Sequence, residues 1–180
     1  MILYSIQTEK AWQKAIKTGV LYGDKRFVWA DFKLPYSWLM EQMNTKIGKS
    51  NRTTPVWAWY KNNDKMPDLR ESGHLEKGTK GVRLKIEIAD KYVLLSDFDL
   101  WHMVLTPGHI PKSKADDKRW DILWETNKIE YFEKCKETWF RIFEFNKFAN
   151  TYYGDGKYIQ ATMWEVPIKC VKKVDYFIAR

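Results

Sequence analysis

Cysteine is nearly missing from this sequence. Only Cys135 and Cys170 occur in 180 residues, and neither belongs to a Cys-x-x-Cys pair. That argues against the common zinc and dithiol signatures. Two buried free thiols in a reducing compartment is the simplest reading. No run of 18 apolar residues exists, so no membrane-spanning helix is expected. The opening Met-Ile-Leu-Tyr-Ser-Ile-Gln lacks a basic region followed by a long apolar run, unlike a secretory signal. A cytoplasmic location is therefore the expectation. Gly-x-Gly-x-x-Gly and Gly-x-x-x-x-Gly-Lys-Ser/Thr are absent, so dinucleotide-fold and Walker-type phosphate cradles are not indicated. Gly-x-Ser-x-Gly and His-Glu-x-x-His are absent too. No metal site is expected.

Aromatic residues, in contrast, are abundant: ten Trp, ten Tyr and nine Phe. They serve either a heavy core or a pocket for a flat ligand. The net charge is +8. A basic balance attracts nucleic acid, nucleotides or anionic surfaces. Here the lysines are spread along the chain, with no block of five like charges, and a solvated Lys-rich surface explains them equally.

The order of patterns predicts one α+β domain over residues 1–180. It should hold a twisted, mixed or mostly antiparallel sheet with helices packed against it. Residues 2–7 read as a buried strand. Thr8 caps a helix with Ala11, Trp12, Ala15 and Ile16 on one stripe, and Gly19 stops it. Val20–Tyr22 is a short strand. Pro35 opens a second helix at its first position, lined by Tyr36, Leu39, Met40, Met43 and Ile47. Pro55–Tyr60 is a strand that sets Trp57 and Trp59 on one face and Val56, Ala58 and Tyr60 on the other. Residues 61–81 form a long polar loop, either a lid or a solvated connector.

Val82, Leu84, Ile86 and Ile88 alternate with charged residues as a half-buried strand. Tyr92–Leu95 continues as another, and Ser96 caps a short helix carrying Trp101 and His102. Ser113-x-x-Asp116 resembles a capping box. Two helical pieces follow, one striped by Trp120, Leu123 and Trp124, the other by Phe132, Cys135, Trp139, Ile142 and Phe143. Asp155-Gly156 signals a hairpin turn before the strand from Tyr158 to Glu165. A strand from Cys170 to Phe177 closes the chain.

Several residues can carry chemistry. Asp97, Asp99 and His102 fall within six residues, suited to acid/base work, to a metal whose known zinc and calcium spacings they do not match, or to helix capping. Arg70 and His74, with Asp68, sit in the long loop. Arg70 is either half of a surface ion pair or a phosphate clamp. Trp57, Trp59 and Tyr60 can stack on a purine or nicotinamide ring, or pack against a helix.

Tyr4-Ser5-Ile6-Gln7-Thr8, Pro55-Val56-Trp57-Ala58-Trp59-Tyr60, Asp68-Leu69-Arg70, Leu94 through His102 and Gln160 through Glu165 together give a family resemblance. The chain resembles, over nearly its whole length, the small bacterial proteins of domain of unknown function 3841. A fainter resemblance carries functional content. Leu3 through Thr8, the helix after it, and Gly19-Val20-Leu21 look like the opening of ADP-ribosyltransferase-like domains. The Gln160-Ala161 strand resembles their glutamate-bearing segment, although Thr162 stands where that glutamate would be. The resemblance implies an NAD- or nucleotide-binding cleft, in a transferase fold that is either active or catalytically degenerate. It places Gln160, Glu165, Asp97 and His102 at the reaction. Tyr4, Gln7, Trp57, Tyr60, Arg70 and His74 fall at the cofactor. Two other classes stay open: a nucleic-acid-binding module, and a protein-interaction or defence-related accessory without catalysis.

Overall fold

The computed structural model describes residues 1–63, 74–144 and 156–180. Asp68, Arg70 and Asp155 lie outside the described residues. Contacts group the chain into two compact units, Met1–Leu94 with Gln160–Arg180, and Leu95–Ile159.

The first unit is built on mostly antiparallel strands. They are β1 (Ile2–Thr8), β2 (Val20–Tyr22), β3 (Val56–Asn62) and β4 (Lys80–Glu87), with β6 (Tyr158–Met163), β7 (Glu165–Pro167) and β8 (Val171–Ile178). β5 is Leu94–Asp97, and the six-stranded order is β5-β6-β3-β1-β4-β8. β1 pairs antiparallel with both β3 and β4, and β4 pairs antiparallel with β8. β2 and β7 form a separate antiparallel ribbon.

The predicted alternation is visible in β4. Val82, Leu84 and Ile86 are fully buried, while Arg83 and Lys85 turn to the other face. Leu3 and Ser5 of β1 lie opposite Ile86 and Leu84 on the buried face. Cross-strand neighbours share a face, so this register forms one continuous apolar surface. The Ser5 hydroxyl, buried among these side chains, donates to the Trp57 carbonyl at 2.6 Å.

Helix α1 (Glu9–Thr18) packs Trp12 and Ala15 into the core. Thr8 caps it by accepting from the Ala11 N–H at 3.1 Å, and Gly19 ends it at φ 77°. That left-handed conformation suits glycine. Ile16, predicted on the buried stripe, is half-exposed. Helix α2 (Lys33–Lys46) starts two residues before Pro35, which is buried in the first turn. Proline is tolerated there because first-turn N–H groups have no helical partner. Leu39 and Met43 of α2 are fully buried.

The second unit holds α3 (Phe98–Leu105), α4 (Lys114–Thr126) and α5 (Lys128–Cys135), then a 3₁₀ segment, Lys136–Phe143. Trp101, Val104, Ile110, Cys135, Trp139 and Ile142 are buried in it. Asp97, not Ser96, caps α3; its carboxylate accepts from the Leu100 N–H at 2.9 Å. Ser96 is drawn into β5 instead, and the strand therefore runs Leu94–Asp97 rather than Tyr92–Leu95. Ser113 caps α4 as predicted, accepting from the Asp116 N–H. Asp116 does not reciprocate. It accepts from the Lys112 N–H at 2.8 Å and from Arg119 at 2.9 Å, with buried Arg141 3.6 Å away. Burial raises its proton affinity, yet these donors outweigh burial and leave its pKa lowered. Both cysteines are free, Cys135 buried and Cys170 only partly so. Among the described residues no helix is long and apolar enough to cross a membrane.

Candidate functional site

An open cleft of about 740 Å³ lies in the first unit, within the size range of small-molecule sites. A sheet irregularity builds one of its walls. Along β4 and β8, Lys85 faces Lys173 and Ile86 faces Val171, so Lys172 has no residue opposite it. This is a β-bulge, which bends a strand and re-aims a side chain. Lys172 lines the cleft beside Lys169. The Lys172 ammonium is held loosely, 4.0 Å from the Glu87 carboxylate and 3.4 Å from the Lys169 carbonyl.

The floor is apolar. Ile88, Pro167 and Ile47 contribute to it, with Trp164 and Tyr92 as the aromatic walls. Trp164 is 9% exposed and its indole N–H donates to the Gly48 carbonyl at 2.8 Å. That bond joins the turn after α2 to the β6–β7 corner. Tyr92 is 52% exposed and so available to a ligand.

The rim is a charged stack. Glu165 of β7 sits opposite Tyr22 of β2. Its Oε2 accepts from Arg52 Nη2 at 2.7 Å and from Nε at 2.9 Å. The same guanidinium lies 4.4 Å over the Tyr22 ring. Gly23 makes this closure possible. A Cβ there would meet the Pro55 and Thr54 carbonyl oxygens at 2.5 and 2.7 Å. Only glycine lets the residues before β3 approach so closely.

Of the sequence-predicted residues, Glu165 lines this cleft, with its carboxylate already engaged by Arg52. Gln160 is half-exposed on β6. Tyr4 and Trp59 are cross-strand partners, on the face of the sheet opposite Leu3 and Ser5. Trp57 shares that face and meets Tyr36 of α2 edge-on, with centroids 6.1 Å apart. Burial pushes the Tyr36 hydroxyl pKa upward. Trp59 meets His74 edge-on at 6.2 Å. Gln7, on the opposite face, donates to the Ser5 hydroxyl at 2.8 Å, and Tyr60 is 41% exposed. In the second unit, Asp97 is 1% exposed and committed to capping α3. His102 is exposed, its Nδ1 2.9 Å from the Phe98 carbonyl and its ring edge-on to Phe98 at 4.5 Å. Arg70 lies outside the described residues.

Arg52, Tyr92, Lys169 and Lys172 carry no pattern that distinguishes them from other surface residues. A bulge depends on how two strands align, and no local spacing in β8 announces it. Among the described residues, no group of His, Cys, Asp and Glu has the geometry of a metal site.

No curated protein and no solved structure matches the chain. The family model for Domain of unknown function (DUF3841) covers residues 2–172, nearly the whole chain and both of its compact units, and the protein belongs to that family.

Proposed function

We propose that the first unit binds a small molecule combining a flat ring with an anionic group, a nucleotide such as NAD or ADP-ribose. One observation carries this reading: the bulge that delivers Lys172 beside Lys169 at the edge of an aromatic, apolar cleft. Two ammonium groups suit phosphate as point charges. Tyr92 supplies a ring face, and stacking on a nucleobase is worth roughly 1–3 kcal/mol. Catalysis has weaker support. Glu165 is neutralised by Arg52, and Asp97 serves as a cap. Binding without ADP-ribosyl transfer is therefore the version we favour.

The test is a thermal-shift titration with NAD, using ADP-ribose as comparator at fixed salt. Saturation at 100 times Kd adds about 2.7 kcal/mol of stability. The shift should vanish in a Lys169→Ala/Lys172→Ala double variant. A shift unchanged in that variant, or no shift with either ligand, refutes the proposal. Release of nicotinamide in the same mixture would restore the transferase reading.

One observation favours a second reading, single-stranded nucleic acid. Tyr4, Trp57 and Trp59 share a sheet face with Arg83 and Lys85, and none of the five is fully buried. Aromatic platforms beside cations suit unstacked bases. Affinity for an oligonucleotide that falls steeply with salt, and that competes with no nucleotide, would select it.

A further inference from the structure

A second concavity, about 370 Å³, lies wholly within the second unit. It is lined by the chain from Met103 to His109, at and after the end of α3, and by residues of two consecutive helices, α4 and α5. On α4, Asp117, Trp120, Asp121 and Trp124 fall at helical spacing along one face. On α5, Tyr131 and Phe132 follow. The rings of Trp124, Tyr131 and Phe132 meet pairwise at 5.1, 5.5 and 5.5 Å between centroids. Their planes stand at 73°, 80° and 86° to one another, the arrangement of three walls meeting at a corner.

The corner is held from behind. The Tyr131 hydroxyl accepts from the His109 backbone N–H at 3.2 Å and lies 3.1 Å from His109 Nδ1. His109 Nε2 is 2.9 Å from the Asp117 carboxylate, and the imidazole is stacked on Trp120 at 5.0 Å and 7°. These contacts are mutually consistent with the proton on Nε2, donated to Asp117. Nδ1 then accepts the Tyr131 O–H. The network fixes Tyr131, which is 8% exposed, while Trp124 and Phe132 stay 41% and 46% exposed at the mouth.

The charge of this pocket runs against that of the chain. Net charge is +8, yet among the described residues no Lys or Arg lines the pocket, and Asp121 is its one carboxylate. The Trp124 ring already attracts a cation from outside the lining, since Lys128 Nζ lies 4.8 Å from its centroid. Aromatic faces beside a carboxylate, with no competing cation among the walls, select a positive ligand too bulky to be strongly hydrated. We propose that this pocket binds a small quaternary ammonium compound, with Trp124, Tyr131 and Phe132 around the methyl groups and Asp121 as counter-charge. This site is separate from the cleft of the first unit and stands or falls without it.

The experiment is a calorimetric and tryptophan-fluorescence titration of the whole chain with choline. Its uncharged carbon isostere, 3,3-dimethylbutan-1-ol, is the control. Choline should bind about tenfold more tightly than the isostere, the range expected for a partly desolvated cation on aromatic faces. Asp121→Asn should weaken choline and leave the isostere unchanged. Trp124→Ala should abolish choline binding while circular dichroism stays native, because that side chain is partly exposed. Lys128→Met should bind choline at least as well as the parent. Equal affinity for choline and isostere would mean a generic apolar pocket and overturn the proposal. So would no binding by the folded protein, or loss of binding in Lys128→Met.

Discussion

Asp97 separates two roles that the sequence left open, and one pair of substitutions decides between them. If its carboxylate caps α3, Asp97→Ala leaves the Leu100 N–H without its acceptor. Losing an N-cap costs typically about 1 kcal/mol. The residue is 1% exposed, so the orphaned donor cannot turn to water, and a buried unsatisfied group adds roughly another 1 kcal/mol. The expected total is about 2 kcal/mol. At about 2.1 cal/mol/K per residue, 180 residues give an unfolding entropy of about 0.4 kcal/mol/K, and Tm should fall by about 5 °C. Asp97→Asn keeps an oxygen in the same place, and Asn ranks with Asp as a cap, so its Tm should stay within about 2 °C of the parent. Differential scanning calorimetry at neutral pH reads both. A fall of Asp97→Asn as large as that of Asp97→Ala would refute the capping account, since it would show that the charge itself is needed. A parental Tm in both would show that the bond contributes nothing.

Other outcomes follow from the same structure. Leu84→Ala removes a fully buried side chain from the middle of β4 and should cost about 2–5 kcal/mol, read as a lower urea midpoint at unchanged slope. Gly23→Ala drives a methyl group against the Pro55 and Thr54 carbonyls and should cost roughly 1–3 kcal/mol, with loss of the Arg52–Glu165 contact visible as weaker NAD binding. The Asp175 carboxyl is held below its usual pKa by hydrogen bonds from Lys173 and then Arg83. A folded pKa below the unfolded one gives stability that is complete above the unfolded value, near 3.8, and disappears as pH falls through the folded value. Asp175→Asn should therefore lower stability by about 1 kcal/mol at pH 7 and by progressively less as pH falls below the unfolded value, as measured by urea denaturation at each pH.

Local chemistry was legible wherever neighbours in the chain decide it. Thr8 capping α1, Gly19 ending it, the alternation of β4 and the Ser113 cap of α4 each depend on residues within a turn or a strand of one another. That is where propensity and periodicity act. The α+β class followed from the order of those elements. Boundaries set by competition were less legible. Ser96 and Asp97 are both good caps; α3 starts at Phe98, so the role falls to Asp97, the residue directly before it.

What brings distant residues together was decided by the tertiary structure alone. Lys172 reaches the cleft because β4 and β8 pair with one residue to spare, a property of two strands more than 80 positions apart. Arg52 finds Glu165 across 113 positions because Gly23 lets the backbone close. Trp120 and Trp124 read as an apolar stripe in the sequence. With Asp121 between them, and His109, Tyr131 and Phe132 arriving from either side, Trp124 becomes a pocket wall while Trp120 stacks on His109 behind it. Periodicity reports which residues share a face of one element; the partner that covers that face, and the space left between them, depend on packing.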